Sequence, residues 1–260
     1  MDEIINMKDV SWRRDGKEII SDINWQVKSG ENWAIIGLNG AGKTSLLNIV
    51  NGYSWPTTGE VTVLGSKFGK TDIYEMRKSI GWVSSSLQQK INGRHLTEDI
   101  VVSGVLKTFG FLYETPQEEL YDQAKEVMKR LNCLHVLEKR YEMCSHGEKQ
   151  KILIARGLMA KPKLLILDEP TTGLDFIARE DLLSSLNDMC KEPAAPTIVY
   201  VTHHTEEIIP LFTHTLLLDE GKIFKSGLNQ EVLTNENLSS LFNKKVELNW
   251  HADRPWLRLG

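Results

Sequence analysis

The spacing of apolar positions changes along the chain, and each change marks a different kind of element. Residues 3–13, 19–27, 32–36 and 60–64 are short β-compatible runs, divided by the turn pairs Asp15-Gly16, Ser29-Gly30 and Thr58-Gly59. From about residue 97 to 160 the pattern becomes helical. Glu118, Glu119, Asp122, Lys125, Glu126, Lys129 and Arg130 form a solvated face around Leu120, Ala124, Val127 and Leu131. Two compact apolar runs come next, at 164–167 and 197–201, with a helical stretch at 177–189 between them. Strand, helix, strand with strands apolar on both faces predicts a parallel sheet. Residues 216–218, Glu220-Gly221 and 222–225 predict a closing hairpin. Past residue 227 the pattern fades, and 250–260 reads equally as a docked or a loose tail. No repeat of 20 to 50 residues and no Pro/Gly/Ser-rich linker divides the chain.

Composition narrows the class. The chain has 260 residues, with 31 basic against 35 acidic side chains for a net charge of −4, which fits one large domain or two small ones. Hydrophobic residues at 41% supply a sizeable core, and the slightly acidic balance gives no general electrostatic attraction to nucleic acid. The richest apolar stretch, 100–113, is broken by Ser103, Lys107 and Thr108, so no segment is expected to span a bilayer. The start, MDEIINMKDV, lacks a basic region leading into an apolar one, which makes the cytoplasm the default compartment. Cys133, Cys144 and Cys190 are an odd number without a C-x-x-C pair and read as buried thiols.

Chemistry enters directly after the run 32–36, as Gly37-Leu38-Asn39-Gly40-Ala41-Gly42-Lys43-Thr44 leading into the helix-compatible 45–50. This is G-x-x-x-x-G-K-T between a strand and a helix. Its glycines let backbone N–H groups converge on phosphate oxygens, and the helix N-terminus adds a favourable dipole. Lys43 supplies a positive charge for the β- and γ-phosphates, the Thr44 hydroxyl a ligand for Mg²⁺, and Ser45 extends the loop. The pattern predicts nucleoside triphosphate binding.

Asp168 and Glu169 close the run 163–167, at the end of a strand expected to be buried on both faces. Asp168 suits the Mg²⁺ shell. Glu169, read as lying on the opposite strand face, suits a base that deprotonates the water attacking the γ-phosphate.

With these residues in view, the chain resembles the nucleotide-binding subunits of the ATP-binding-cassette (ABC) family. The resemblance runs from about residue 3 to 225, through the loop 37–44, Cys144-Ser145-His146-Gly147-Glu148, Gln150 to Arg156, Leu164 to Pro170, Gly173-Leu174-Asp175 and Val201-Thr202-His203. Ser145-His146-Gly147-Glu148 is similar to the family signature L-S-G-G-Q, and taken alone is also a helix N-cap pattern. His203 is similar to the family's switch histidine, which contacts the γ-phosphate. A zinc site from His203, His204, Glu206, Glu207 and His214 is disfavoured, because neighbours on an extended strand point to opposite faces. Two departures stand out. Where the family has an aromatic residue stacked on adenine, this chain has Arg14, with Trp12 two positions earlier, and either side chain can stack on a base. Where the family has a glutamine after the strand 80–84, this chain has Ser85, with Gln88 and Gln89 as substitutes after a loop shift.

The resemblance implies an α/β, P-loop NTPase (RecA-like) core with an antiparallel β subdomain and an inserted helical subdomain near 86–160. Residues 1–227 form the ATPase domain and 228–260 a C-terminal extension. It implies ATP hydrolysis with Glu169 as base, His203 on the γ-phosphate, and ATP and Mg²⁺ as ligands. The signature Ser145, His146, Gly147 and Glu148, with Asp175 nearby, is implied to act in trans on a second ABC subunit, identical or related. A separate transmembrane subunit is implied too, which makes the chain peripheral at the inner face of the cell membrane. Its cytoplasmic helix is expected in a groove beside 85–89 that contains Leu87, Phe109 or Phe111. The alternative is a soluble ABC ATPase outside transport. A small-molecule kinase has no need for Asp168-Glu169 and the signature. A regulatory module without turnover stays open because of Ser85.

Overall fold

Turn chemistry sets the frame. Asp15 and Gly16 take φ of 51° and 76°, and Glu220 and Gly221 take 44° and 76°, the paired left-handed conformations that join antiparallel strands tightly. The computed structural model describes residues 2–106, 108, 110, 116–192 and 194–260, with Ser85 and Ser86 described by backbone alone. Two compact units divide the chain: Met1–Lys78 with Thr197–Gly260, and Ser79–Pro196.

In the first unit an antiparallel sheet runs in the order Lys17–Lys28, Glu3–Arg14, Thr58–Val63, Ser66–Lys67. A second group runs in the order Lys222–Leu228, His214–Asp219, Trp33–Ile36, Thr197–Thr202. Trp33–Ile36 is parallel to both of its neighbours, with Ile36 beside Thr202 on one side and Leu217 on the other. Every residue of Trp33–Ile36 and Thr197–Thr202 is buried, the expected pattern for strands covered on both faces. Helix Lys43–Val50 comes after the central strand and buries Leu46, Leu47, Ile49 and Val50.

The C-terminal residues are docked. Thr234 caps helix Asn235–Phe242 through Oγ1, which accepts from the Asn237 N–H at 3.2 Å, and Asn243 ends the helix at φ 51°. Strands Val246–His251 and Arg254–Leu259 then pair around Ala252 and Asp253, both left-handed at φ 49° and 56°. The sequence lacks the usual Asn-Gly signal at this turn, so its pattern does not predict the hairpin.

The second unit holds the parallel pair Ile80–Ser84 and Leu164–Asp168 and the helices Thr97–Leu106, Glu118–Arg130, His146–Met159 and Phe176–Met189. Among the described residues, the helical region 97–160 thus holds the three α-helices Thr97–Leu106, Glu118–Arg130 and His146–Met159. A Cβ on Gly104 would lie 2.0 Å from the Arg156 carbonyl oxygen, so the first of these helices crosses the third by backbone contact. Among the described residues, no helix is long and apolar enough to cross a membrane.

Candidate functional site

In the first unit, the parallel register decides which strand ends lie side by side. Because Ile36 pairs with Thr202, Gly37 and His203 leave adjacent strands at the same carboxyl edge. A Cβ on Gly37 would fall 2.4 Å from the Leu218 carbonyl oxygen, so only glycine starts the loop without displacing the neighbouring strand. Gly42, at φ 101°, N-caps helix Lys43–Val50 and has no side chain to take up the first amides of the helix. The turn at Gly221 braces the loop from behind, its N–H donating to the Ala41 carbonyl at 2.9 Å. Lys43 is 7% exposed, and its Nζ donates to the Gly37 and Leu38 carbonyls at 2.7 and 3.2 Å, which folds the loop around the ammonium. Leu38, Asn39, Gly40 and Thr44 are exposed or half-buried and Ser45 half-buried, while Ala41 is buried. Helix-terminal amides, a buried lysine and a hydroxyl fit a polyphosphate carrying a hard cation.

A cavity of about 540 Å³ beside this loop is lined by Trp12, Arg14, Ile19, Thr44, Ser45, Asn48 and Ser54. Both base-stacking candidates therefore border the residues at the end of the phosphate loop. Trp12 is half-buried, and Arg14 is exposed with its Nε 3.6 Å from Asp15. Ser54 and Asn48 line the same cavity, and no sequence motif singles them out.

His203 lies just past the strand end at Thr202. The rings of His203 and His204 touch, with centroids 4.2 Å apart. This corrects the expectation that they point to opposite faces: alternation holds only within a strand, and the chain has already turned. His214 is elsewhere, stacked on Trp33 at 4.8 Å. No cluster of three or more His, Cys, Asp or Glu with metal-binding geometry occurs among the described residues.

In the second unit, Ser84 pairs with Asp168, so Ser85 and Glu169 leave their strands at one edge. Asp168 ends its strand half-buried. Glu169 is past the strand in a left-handed conformation, φ 51°, so a turn aims it and strand alternation does not. Gln88 ends the short helix Ser85–Gln88, and its Oε1 accepts from Gln150 Nε2 at 3.4 Å. Gln89 is exposed and Leu87 half-buried, while Phe109 and Phe111 lie outside the described residues.

The signature region is a capping box at the start of helix His146–Met159. Ser145 Oγ accepts from the Glu148 N–H at 3.3 Å, and Glu148 Oε2 accepts from the Ser145 N–H at 2.7 Å. The other Glu148 oxygen meets His135 Nε2 at 2.8 Å. Burial pushes the Glu148 carboxyl up, but the Ser145 backbone bond and the His135 and Ser145 side chains outweigh it and hold it below the ordinary value of 4.5. His146 is exposed, with Nε2 3.6 Å from where a Cβ on Gly173 would sit. Gly147 is half-buried against Ala178. Asp175 N-caps helix Phe176–Met189, its carboxylate accepting from the Ala178 N–H at 2.9 Å.

The model of the ABC transporter family matches residues 20–172. The chain is 49% identical over 255 residues, 98% of its length and 96% of the relative's, to the uncharacterized ABC transporter ATP-binding protein YlmA of Bacillus subtilis. It is 32% identical over 237 residues, 89% of its length and 81% of the relative's, to the energy-coupling factor transporter ATP-binding protein EcfA of Methanocaldococcus jannaschii. Among solved structures it is similar to cbiO1 from Clostridium perfringens, part of the ABC transporter complex cbiONQ. The TM-score is 0.80 at 27% identity, covering 94% of this chain and 95% of the other.

Proposed function

Since this chain belongs to the ABC transporter family of ATP-binding proteins, we propose how its own residues divide the work of hydrolysing ATP. The chain is an ATPase, the energy-coupling subunit of a transporter. The observation that carries the proposal is the register of Ile36 with Thr202, which sets loop 37–44 and His203 at one strand edge.

Lys43 and the loop amides of residues 37–44 hold the β- and γ-phosphates, with Ser45 continuing the helix end. The Thr44 hydroxyl and the Asp168 carboxylate are oxygen ligands of the hard type that Mg²⁺ prefers. When bound, that ion neutralises charge developing on the phosphate oxygens. Glu169 accepts a proton from the attacking water. The water oxygen bonds to the γ-phosphorus as the bond to the β–γ bridging oxygen breaks, releasing ADP and phosphate. His203 donates a hydrogen bond to the γ-phosphate, and Trp12 or Arg14 stacks on adenine. Ser145, His146, Gly147 and Glu148, with Asp175, close on the loop of a second copy or of a related cassette. A separate transmembrane subunit receives the work, with this chain at the inner face of the membrane. The description of cbiO1 as part of a transporter complex supports that arrangement.

Glu169→Gln keeps the size and hydrogen-bonding reach of the side chain and removes its basicity. Hydrolysis is expected to fall by about 10²-fold or more with ATP affinity kept. Wild-type turnover in that variant would take Glu169 out of the reaction.

A further inference from the structure

The loop that carries His203 is held from two directions. From within, the Glu207 carboxylate, 1% exposed, accepts from Tyr200 Oη at 2.9 Å and Thr202 Oγ1 at 2.6 Å. Thr202 Oγ1 in turn accepts from the His204 N–H at 3.0 Å. A buried carboxylate with two hydroxyl donors is a rigid base for the turn.

From the other direction comes the C-terminal hairpin. Arg254 Nε donates to the Glu206 carbonyl at 2.9 Å, and its terminal NH2 donates to the same oxygen. Glu206 Oε1 is 3.4 Å from His204 Nδ1, and the His204 ring rests on that of His203. Arg254, Glu206, His204 and His203 thus form one line of contacts from the end of the chain to the phosphate loop's neighbour.

Arg254 is itself fixed. It pairs with His251 across the left-handed Ala252-Asp253 turn, precedes the buried Pro255, and lies 5.6 Å above the Trp256 ring. Further along the hairpin, Arg258 pairs with Glu247, Arg258 Nε lying 2.9 Å from Glu247 Oε2. A guanidinium with two donors on one carbonyl sets that carbonyl's direction as well as its distance.

We propose that Arg254 is a positioning residue for hydrolysis: the C-terminal hairpin uses it to fix the loop bearing His203, so residues 246–260 set the turnover rate and not the affinity for ATP. This rests on the reading of His203 as the γ-phosphate contact. The hairpin is then a working part of the ATPase.

The test uses the purified full-length chain as wild type, Arg254→Ala, Arg254→Lys and His203→Ala. It measures ATP hydrolysis, ATP affinity, melting temperature and the ¹⁵N imidazole signals of His203 and His204. Arg254→Ala is expected to lower kcat about tenfold, the scale of a misplaced reacting contact, with ATP affinity kept within about twofold. The His203 and His204 signals should move with it. Arg254→Lys keeps one donor and should recover part of the rate, and it carries the test if Arg254→Ala does not fold. Wild-type kcat and unmoved imidazole signals in both Arg254 variants, with His203→Ala slowed, overturn the positioning role. Equal loss of kcat and affinity together with a fall in melting temperature overturns it too, leaving a merely structural hairpin. Wild-type hydrolysis by His203→Ala instead overturns the γ-phosphate reading on which the inference stands.

Discussion

Lys43 has two tasks at one atom. Its Nζ braces the loop through the Gly37 and Leu38 carbonyls, and in the proposed mechanism it is also the loop's cation for the phosphates. Lys43→Ala therefore removes both the brace and the charge, and ATP hydrolysis is expected to fall to background in a phosphate-release assay. The base-stacking residue is a question of two neighbours on one cavity. Replacing the true partner, Trp12 or Arg14, by Ala is expected to weaken ATP binding by about 1 kcal/mol, read by titrating both variants. The geometry of loop 37–44 was legible in the sequence, because its glycine spacing between an apolar run and a helical one encodes the turn. The ring contact between His203 and His204 was not legible. Their contact arises from a turn after the strand, and alternation carries no information about side chains beyond a strand's last residue.

At the scale of elements, the proposed signature residues Ser145 and Glu148 form a helix capping box. Ser145 and Glu148 satisfy each other's backbone N–H groups, so Ser145→Ala should cost about 1 kcal/mol of stability in denaturant titration, whatever it does to turnover. The Glu148 carboxyl is held below its ordinary value of 4.5 in the folded chain. A depressed carboxylate stabilises fully above its unfolded pKa, and that contribution is lost as pH falls through the folded pKa. Glu148→Gln should accordingly flatten the drop in melting temperature on the acid side of pH 4.5. Strands and hairpins with Asp-Gly or Glu-Gly turns were readable to within a few residues. The C-terminal hairpin was not, since its Ala252-Asp253 turn is left-handed at two residues that carry a Cβ.

For the whole molecule, the thiols report on folding. Burial pushes Cys133 and Cys190 up to about 12, and burial also raises Cys144. All three stay protonated at about pH 8, so alkylation by iodoacetamide should be slow in the native chain and complete after unfolding, as read by mass spectrometry. Organisation was legible as an order of elements, strand-rich, helical, then strand-helix-strand. That Thr197–Gly260 forms one unit with Met1–Lys78 was not, because pairing between distant strands leaves no trace in local periodicity.

That pairing has a consequence for synthesis on the ribosome. Strand Trp33–Ile36 is wholly buried, yet its two neighbours, Thr197–Thr202 and His214–Asp219, emerge much later. Ile36 and Thr197 are separated by 197 − 36 = 161 positions. At translation rates of about 5–20 residues per second, the nascent central strand waits roughly 8 to 32 seconds for a partner. During that interval the buried residues Trp33, Ala34, Ile35 and Ile36 lack both strands that flank them in the folded chain, while the helical insert can already fold from contacts close in sequence. A nascent chain halted near residue 190 is a natural client for a chaperone, and one released after residue 219 has its central strand paired on both sides.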